Sequence, residues 1–335
     1  MPKRISWKKG MRLTAEILKA SDKCTDRIIS HCLSLAASGR FGLIPSNRPF
    51  NISLNFNKNH VEIEELDCLA ITKSGTLIDI SFDTRYSNAM ETRLSLPASE
   101  DDVLLLTVSE SKDSWKETND GFIEPTYIFQ LISNTSPLSP DSLPIARIVR
   151  EVSGWQVDNI DFVPPCLFIT SHRDYEALNV SFLNSLNASE KYLFNSLHSS
   201  CTTAIGILWP AVQQLKITLD KERDIMTPMV LLGHVQKYVS AFACACMLEP
   251  ILELKNYEQY SYFINTPYDY KNVYGKIKEG LELCQEINSK VMNFKDIVIE
   301  VVKPEPKPEP RPEPKPKPEP KPAPMLRRGW DGLEI

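Results

Sequence analysis

The chain has 335 residues, of which 42% are hydrophobic and 24% charged, and this balance is typical of a soluble protein with a packed core. The net charge is −5, and because residues 303–335 hold eight basic and six acidic residues, residues 1–302 carry about −7. This acidic body lacks the basic stripe that displaces counterions from phosphates, so the composition argues against a nucleic-acid partner.

The N-terminal segment, residues 1–13, is basic but has no run of seven apolar residues, so it does not have the form of a signal peptide. Apolar residues then recur at spacings of three and four, which predicts one amphipathic helix over residues 14–38 that ends at Gly39. The stripe consists of Leu13, Ile17, Ala20, Cys24, Ile28, Cys32 and Leu35.

From Phe41 to about Ile169 the pattern changes to short alternating or apolar runs, which predict strands. The runs are Ile52–Phe56, Val61–Ile63, Leu77–Ile80, Val103–Leu106, Tyr127–Phe129, Ile145–Ile148 and Cys166–Ile169. Turn residues at 57–59 and 74–75 separate the first of them. Strands at such short intervals, without helices between them, predict an antiparallel β-sandwich.

After Pro164 and Pro165 the helical period returns. Residues 171–174 have the form of a helix start with an acidic residue in the first turn. Thr227–Pro228 and Thr266–Pro267 each place a capping Thr before a proline, which predicts helices of about 20 and 25 residues, and Glu249–Pro250 predicts the end of the first. The stripe of the last helix consists of Tyr270, Val273, Ile277, Leu281, Cys284, Ile287 and Val291.

The segment 229–248 is the most apolar, but His234, Gln236 and Lys237 interrupt it, as in a buried helix rather than a membrane span. Four or five helices can share a core as a bundle. No direct membrane insertion is therefore expected.

Eleven of the 25 prolines lie between residues 304 and 324, in a tract that is half proline and has no aliphatic side chains. Such a tract cannot offset its ordering entropy by burial. The predicted fold class is therefore α+β in three parts: an N-terminal helix and β-sandwich shell domain (1–170), a helical bundle (171–302) and a disordered Pro-rich tail (303–335).

The eight cysteines lie at apolar positions without the spacing of a disulfide framework, which is typical of free thiols in the cytoplasm. Cys244 and Cys246 beside His234 could indicate a metal site, but residues two apart on a helix point to different faces. Buried structural thiols are the favoured interpretation, and we expect no metal.

The sequence contains no catalytic signature: no G-x-S-x-G, G-x-x-x-x-G-K-[ST], G-x-G-x-x-G or H-E-x-x-H motif occurs. The five histidines are far apart in the sequence, and His31 and His234 lie within helical stripes, where core or boundary histidines are commoner than catalytic ones. We expect no catalytic residue and no cofactor. An enzyme with a spatially assembled site is the least favoured alternative.

Periodicity does not explain three short motifs: Ile5–Leu13 (ISWKKGMRL), Leu143–Ile148 (LPIARI), and Gly154–Trp155 followed by Asp161–Leu167 (DFVPPCL). In this order, before a helical region, they resemble the TssK family, the baseplate subunit of the type VI secretion system. That family has a W-x-x-G-M-x-L start, an L-P-[IL]-A-R-[IL] strand and an F-[IV]-P-P segment before its helices. The resemblance covers about residues 5–300.

Two segments depart from the family pattern. Thr14–Leu18 stands where the family has a Pro-Gln-His-Phe stretch, and the Pro-rich tract with residues 325–335 stands where members usually carry a C-terminal head that docks the baseplate on the membrane complex. These departures resemble a divergent branch, such as the type VI systems of Bacteroidetes.

The resemblance implies a non-enzymatic homotrimer, in which the β shell binds the wedge subunits TssF and TssG and the bundle forms the neck. It also implies a cytoplasmic location, at the inner face of the inner membrane when the baseplate is assembled. A phage-tail baseplate or receptor-binding protein is the alternative.

Two groups of residues are predicted to bind proteins. Trp7, Gly10, Met11 and Leu13 either contact the wedge subunits or fix the first helix to the sandwich. Residues 303–324 in a polyproline II conformation would reach roughly 70 Å, and they end in a peptide with the composition of a docking segment for the membrane complex. Its predicted contact residues are Arg327, Arg328, Trp330 and Leu333.

Overall fold

A computed structural model of the chain describes residues 12, 14–36, 40–83, 92–97, 101–117, 123–249, 252 and 257–297. The chain divides into two compact units, residues 1–298 and 299–335, and all the described residues belong to the first. Helix α1 spans Ala15–Ala36, close to the predicted bounds, and the Thr14 hydroxyl accepts the Ile17 N–H at 3.4 Å as an N-terminal cap.

The apolar stripe of α1 is half-buried at Ile17, Cys24 and Ile28, and His31 is exposed. The expectation that His31 is a core or boundary residue is therefore wrong. Helical spacing alone places His31 near the stripe, but no element in the described part of the chain covers its side chain.

The first sheet has five antiparallel strands, with the longest one at its centre. The strands are β1 (Gly42–Leu43), β2 (Asn51–Asn57), β3 (His60–Ile71), β4 (Leu77–Asp83) and β5 (Arg93–Ser95). β3 pairs with all four others, and the predicted turns connect β2 to β3 and β3 to β4.

The second sheet has four antiparallel strands in the order β7-β6-β8-β9. They are β6 (Val103–Glu117), β7 (Ile123–Ser133), β8 (Ser142–Glu151) and β9 (Gly154–Val157). Buried Val61 and Ile63 of β3 and Leu104 and Leu106 of β6 belong to one core, as alternation along strands with one solvated face predicts. The sandwich predicted from the sequence is confirmed.

Cys166–Ile169 is not a regular strand. A single parallel bridge joins Cys166 to Leu43, and a short 3-10 turn at Ile169–Ser171 follows at once. The strand prediction was wrong here because a short apolar run is equally compatible with a segment that is buried by tertiary contacts.

Five helices follow: α2 (Arg173–Asn195), α3 (Thr202–Lys221), α4 (Pro228–Leu248), α5 (Tyr257–Ile264) and α6 (Val273–Met292). α2, α3, α4 and α6 form a four-helix bundle in which each helix packs on two neighbours, and α5 packs on α4. The Thr227 hydroxyl accepts the Val230 N–H at 3.3 Å, so the predicted cap of α4 is confirmed.

The predicted helix start at Thr266–Pro267 is wrong, because α6 begins only at Val273, after Asn272. The Thr266 hydroxyl instead donates to the carbonyl of Tyr262 at 2.9 Å, one turn back on α5. Gln236 of α4 donates to the Thr266 carbonyl at 2.9 Å, which fixes the segment as a loop.

A buried polar network joins three helices of the bundle. Asn288 of α6 donates to the Ser185 carbonyl at 3.0 Å and to its hydroxyl at 2.8 Å, and it accepts hydrogen bonds from Ser189 of α2 and Tyr238 of α4. Burial raises the pKa of Tyr238, so its hydroxyl stays protonated and can donate. Such a network favours one helix arrangement, because its members are satisfied only in that arrangement.

Candidate protein-interaction surfaces

The residues predicted to bind partners lie outside the described residues. This holds for Trp7, Gly10, Met11 and Leu13 at the N-terminus and for Arg327, Arg328, Trp330 and Leu333 at the C-terminus. The described residues instead show what the two inner motifs do and which surfaces the fold presents.

Arg147, in the LPIARI motif, forms a half-buried ion pair with Asp158. Its Nε donates to Asp158 Oδ2 at 2.7 Å, and both side chains are 12% exposed. Burial by itself would raise the pKa of Asp158, but hydrogen bonds from the Asp161 N–H and from Arg147 lower it below its ordinary value. Because Arg147 Nη1 also donates to the Lys271 carbonyl at 3.4 Å, the motif connects the second sheet to the start of α6.

The FVPP segment, residues 162–165, precedes the helices, and the backbone at its end is hydrogen-bonded to the first strand. Leu43 donates to the Pro165 carbonyl at 2.7 Å, and Leu167 donates to the Leu43 carbonyl at 2.9 Å. Gly42 has φ +127°, and a Cβ there would lie 2.6 Å from the Cys166 nitrogen. Only glycine satisfies both the backbone angle and this approach. Both inner motifs therefore have structural roles.

Lysine side chains complete the junction between the sandwich and the bundle. Lys271 donates to the Ser136 carbonyl at 2.9 Å and to the Asn134 carbonyl, and Lys278 of α6 donates to the Ile160 carbonyl at 2.8 Å. Lys73 Nζ lies 4.6 Å from the ring centroid of Tyr270. Repeated contacts of this kind couple the two layers into one unit.

A cleft of about 340 Å³ opens beside this junction, between the start of β2, the end of β9 and the start of α2. Its polar lining includes Asp158, Asn159, His172 and Asp174, and no Ser or Cys lines it. His172 Nδ1 accepts the Asp174 N–H at 3.2 Å as the cap of α2, and burial lowers the pKa of this imidazole. His172 therefore serves as a helix cap, and none of the described residues that line the cleft is a Ser or a Cys.

The outer faces of α3 and α4 form a surface with few charged residues. The two helices are antiparallel neighbours, and the Thr203 N–H at the start of α3 donates to Glu249, just after α4, at 3.2 Å. The exposed residues of this α3–α4 face are Thr202, Thr203, Gly206, Pro210, Gln214, Ile217, Asp220, Lys221, Met229, Gly233, Lys237, Cys244, Met247 and Leu248. Three of these residues are charged: Asp220 and Lys221 in the last turn of α3, and Lys237 in α4.

Other outer faces of the bundle differ from this one. α6 carries six charged residues, including pairs at 2.7 Å (Lys276–Glu279) and 2.8 Å (Lys290–Glu286), as expected of a solvated helix surface. The groove of about 190 Å³ between α2 and α6 is lined mainly by uncharged polar residues such as Asn184 and Gln285. The α3–α4 face is thus the apolar side of the bundle.

Helix α4 is long and apolar enough to cross a membrane by composition, and about half of that apolar window is buried inside the protein. Its inner side supplies Val235, Tyr238 and Phe242 to the bundle core. All eight cysteines are free thiols. Cys244 is exposed, so the expectation of a buried thiol is wrong there, whereas Cys246 is buried. The described residues contain no group of three or more potential metal ligands.

Solved structures with a similar fold include the following three. TssK from the type VI secretion system of EAEC, solved with a nanobody, has a TM-score of 0.55 and 12% identity over 82% of this chain and 99% of that chain. The TssK-TssF-TssG baseplate subcomplex gives 0.53 and 13% over 86% and 99%. A crystal structure of TssK gives 0.59 and 10% over 86% and 69%.

No protein-family model matches the chain, and no curated protein matches it in sequence. The low identities mean that the likeness concerns the fold, and the chain has a TssK-like fold. This confirms the fold that the three motifs predicted.

Proposed function

We propose that the chain is a non-enzymatic structural component of a type VI secretion baseplate. In this proposal it forms a homotrimer through the bundle (171–302), binds TssF and TssG through the N-terminal β shell (1–170), and carries a tether in the tail (303–335). It acts in the cytoplasm, at the inner face of the inner membrane when assembled.

The observation that carries the proposal is the TssK-like fold over more than four fifths of the chain. One of the similar structures is a TssK-TssF-TssG subcomplex, which supports TssF and TssG as partners. The histidine of the cleft beside the junction serves as a helix cap, and the described residues that line the cleft include no Ser or Cys, which fits a role without catalysis.

The test is capture of TssF and TssG from the same organism by the tagged, purified full chain. We expect both proteins to co-elute with it. A folded chain that binds neither would contradict the proposal.

The N-terminal motif is proposed to contact the wedge subunits. In that case the double substitution Trp7→Ala, Met11→Ala weakens capture, since a Trp and a Met supply most of the apolar contact of such a segment. Lys8→Ala, Lys9→Ala in the same segment is the matched control and should retain capture. Unchanged capture by a folded Trp7→Ala, Met11→Ala variant would leave these residues a role in fixing the first helix.

The tail is proposed to bind the membrane complex through Arg327, Arg328, Trp330 and Leu333, with the Pro-rich tract as a spacer. Three copies in a trimer would strengthen a weak contact by avidity. Deleting residues 325–335 should abolish binding to the membrane complex, whereas deleting residues 305–320 should shorten the reach and keep the binding. Intact binding and secretion after removal of 303–335 would refute the tether.

Gene neighbourhood separates this proposal from the alternative of a phage-tail protein. Sheath, tube and wedge genes without capsid genes nearby support secretion. Capsid genes nearby would favour the phage alternative.

A further inference from the structure

Strand β2 lies at an open edge of the first sheet, because its only partner among the described strands is β3. Asn57 and His60 flank a two-residue turn and therefore form a hydrogen-bonded pair. By the alternation of an antiparallel pair, the backbone N–H and C=O groups of Ile52, Leu54 and Phe56 then point away from β3. None of these groups is hydrogen-bonded to another residue in the described part of the chain. The edge is therefore free to pair with a further strand.

Other edge strands are protected in ways that β2 is not. β4 carries Asp79 and Asp83, β7 carries Glu124 and Pro125, and β9 has only four residues. Charged residues, prolines and short lengths are the usual means by which proteins prevent strand addition. β2 has seven residues, none of which is charged or a proline, and the extra residue of the bulge beside it lies in β3. β2 is therefore a regular and unprotected edge.

The side chains along this edge are apolar on one side of the strand and short and polar on the other. Ile52, Leu54 and Phe56 pack against the core of the sandwich and remain half-buried. The Asn and Ser residues that alternate with them face away from the core. At the start of β2 this apolar strip continues into the cleft of about 340 Å³, whose lining includes Val157 and Phe162. An added strand with apolar side chains on its inner side would extend the core.

The outer side of the first sheet is acidic. Its strands β3 and β4 carry six carboxylates on this side: Glu62, Glu64, Glu65, Asp67, Asp79 and Asp83. The basic side chains on and beside it are half as many: Arg48, Lys58 and Arg93. Neighbouring strands are about 4.8 Å apart, so an added strand would lie about 10 Å from β3, across the short side chains of β2. Long Lys or Arg side chains on its outer side can reach the carboxylates of β3, whereas acidic ones would be repelled.

We infer that β2 binds an extended segment of a protein partner by strand addition, and that this segment alternates apolar side chains with lysine or arginine. The apolar side chains contact Ile52, Leu54, Phe56 and the cleft, and the basic side chains face the carboxylates of β3. This deepens the proposed function, because it rests on the proposed contact of the β shell with TssF and TssG and identifies the edge and the chemistry of the bound segment.

The first test measures binding of a fluorescent peptide, Val-Lys-Val-Lys-Val-Lys-Val, to the full chain by fluorescence polarisation. Its length equals that of β2, and Val-Glu-Val-Glu-Val-Glu-Val is the matched control peptide. We expect the Lys peptide to bind roughly tenfold tighter or more, and its binding to weaken as salt rises. Glu62→Gln, Glu64→Gln should reduce both the preference and the salt dependence. Equal binding of the two peptides would overturn the inference.

The second test places the peptide at β2. Leu54→Pro removes an outward N–H without breaking a bond to β3, and Leu54→Lys adds the kind of charge that protects natural edges while keeping every backbone bond. Leu131→Pro is the matched control, because Leu131 is also half-buried and its N–H points away from β6 on the edge strand β7. Both Leu54 variants should weaken Lys-peptide binding roughly tenfold or more, and Leu131→Pro should retain it. Retained binding in folded Leu54→Lys would overturn the inference.

The outcomes separate this inference from the proposed function. Capture of TssF and TssG by wild type and by both Leu54 variants alike would overturn the inference and leave the baseplate role standing. Peptide binding at β2 without capture of TssF or TssG would contradict the proposed function and leave the strand-addition site.

The chain itself contains a basic segment with a similar alternation, Ile5–Leu13. If removal of residues 1–13 tightens peptide binding by roughly tenfold or more, that segment occupies the edge in the intact chain, and the inference of an external partner is overturned. We expect the deletion to leave peptide binding unchanged.

Discussion

Replacing Arg147 tests whether the ion pair of the LPIARI motif holds the sandwich on the bundle. Arg147→Met keeps the stem and removes the guanidinium, so the Asp158 carboxylate loses two N–H donors in a site where it is only 12% exposed. Removing one partner of such a pair costs about 3 kcal/mol, which lowers Tm by roughly 5 °C in a folded body of about 300 residues.

The assay is thermal and urea unfolding at pH 7 of Arg147→Met, of Asp158→Asn and of the double variant. Arg150→Met is the matched control, because Arg150 lies on the same strand and is exposed, with its guanidinium 5.7 Å from the Trp155 ring centroid; this substitution should cost less than about 1 kcal/mol. Equal effects of Arg147→Met and Arg150→Met, or a coupling energy between 147 and 158 below about 0.5 kcal/mol, would refute the reasoning.

The Arg147–Asp158 ion pair also predicts how the stability of the protein depends on pH. The folded state lowers the pKa of Asp158, so the pair stabilises the protein above the ordinary carboxyl pKa of about 3.9 and is lost as pH falls through the folded value. The difference in stability between wild type and Asp158→Asn should be constant above about pH 5 and shrink below pH 4. A difference that grows towards low pH would contradict this assignment.

Gly280→Ala should destabilise by about 1–3 kcal/mol in urea unfolding, because the new methyl would lie 2.6 Å from Val235 Cγ1 and against the Phe263 ring; an unchanged midpoint would show that α5 moves freely. Gly42→Ala should cost about 3 kcal/mol or more, since it strains φ +127° and meets the Pro165 carbonyl; a stable variant would mean that β1 is not held there. Iodoacetamide should label Cys32 and Cys244 in a folded monomer, while Cys68, whose pKa burial raises to about 12, should react only on unfolding; early labelling of Cys68 would contradict the core assignment.

The elements with a strong period were predictable from the sequence. Helix α4 has a capping Thr, a proline at its first position and an apolar pattern that ends before Glu249–Pro250, all of which favour the same bounds. The strand around Val61 alternates because one side faces the core, whereas Leu104, Leu105 and Leu106 form a continuous apolar run in which every residue is buried. Local chemistry and packing agree at these places, so the prediction holds.

The wrong helix start at Thr266–Pro267 shows that a local sequence signal can be compatible with two structures. Thr before Pro fits a helix start, but it fits equally a loop in which Thr caps the preceding helix, as Thr266 does on α5. Only the contact of Gln236 with the Thr266 carbonyl, across 30 residues of sequence, decides between them. A single sequence does not contain that contact.

In the sequence, the α3–α4 face is marked only by a scarcity of charged residues. Residues 202–215 contain no charged residue, and residues 229–248 contain one, Lys237. The pattern therefore predicts burial on both sides of these two segments. Periodicity cannot separate an inner from an outer face when neither is charged. The bundle arrangement makes the distinction, because Leu208 and Val235 point inwards and leave Gly206 and Gly233 outside.

The most direct test of the baseplate proposal is the mass of the complex that the full chain forms with TssF and TssG, measured by native mass spectrometry beside the chain alone. The account predicts three copies of the chain in the free protein and a multiple of three in a complex that contains both wedge subunits. A single 38.0 kDa chain that remains free in the presence of TssF and TssG would contradict it.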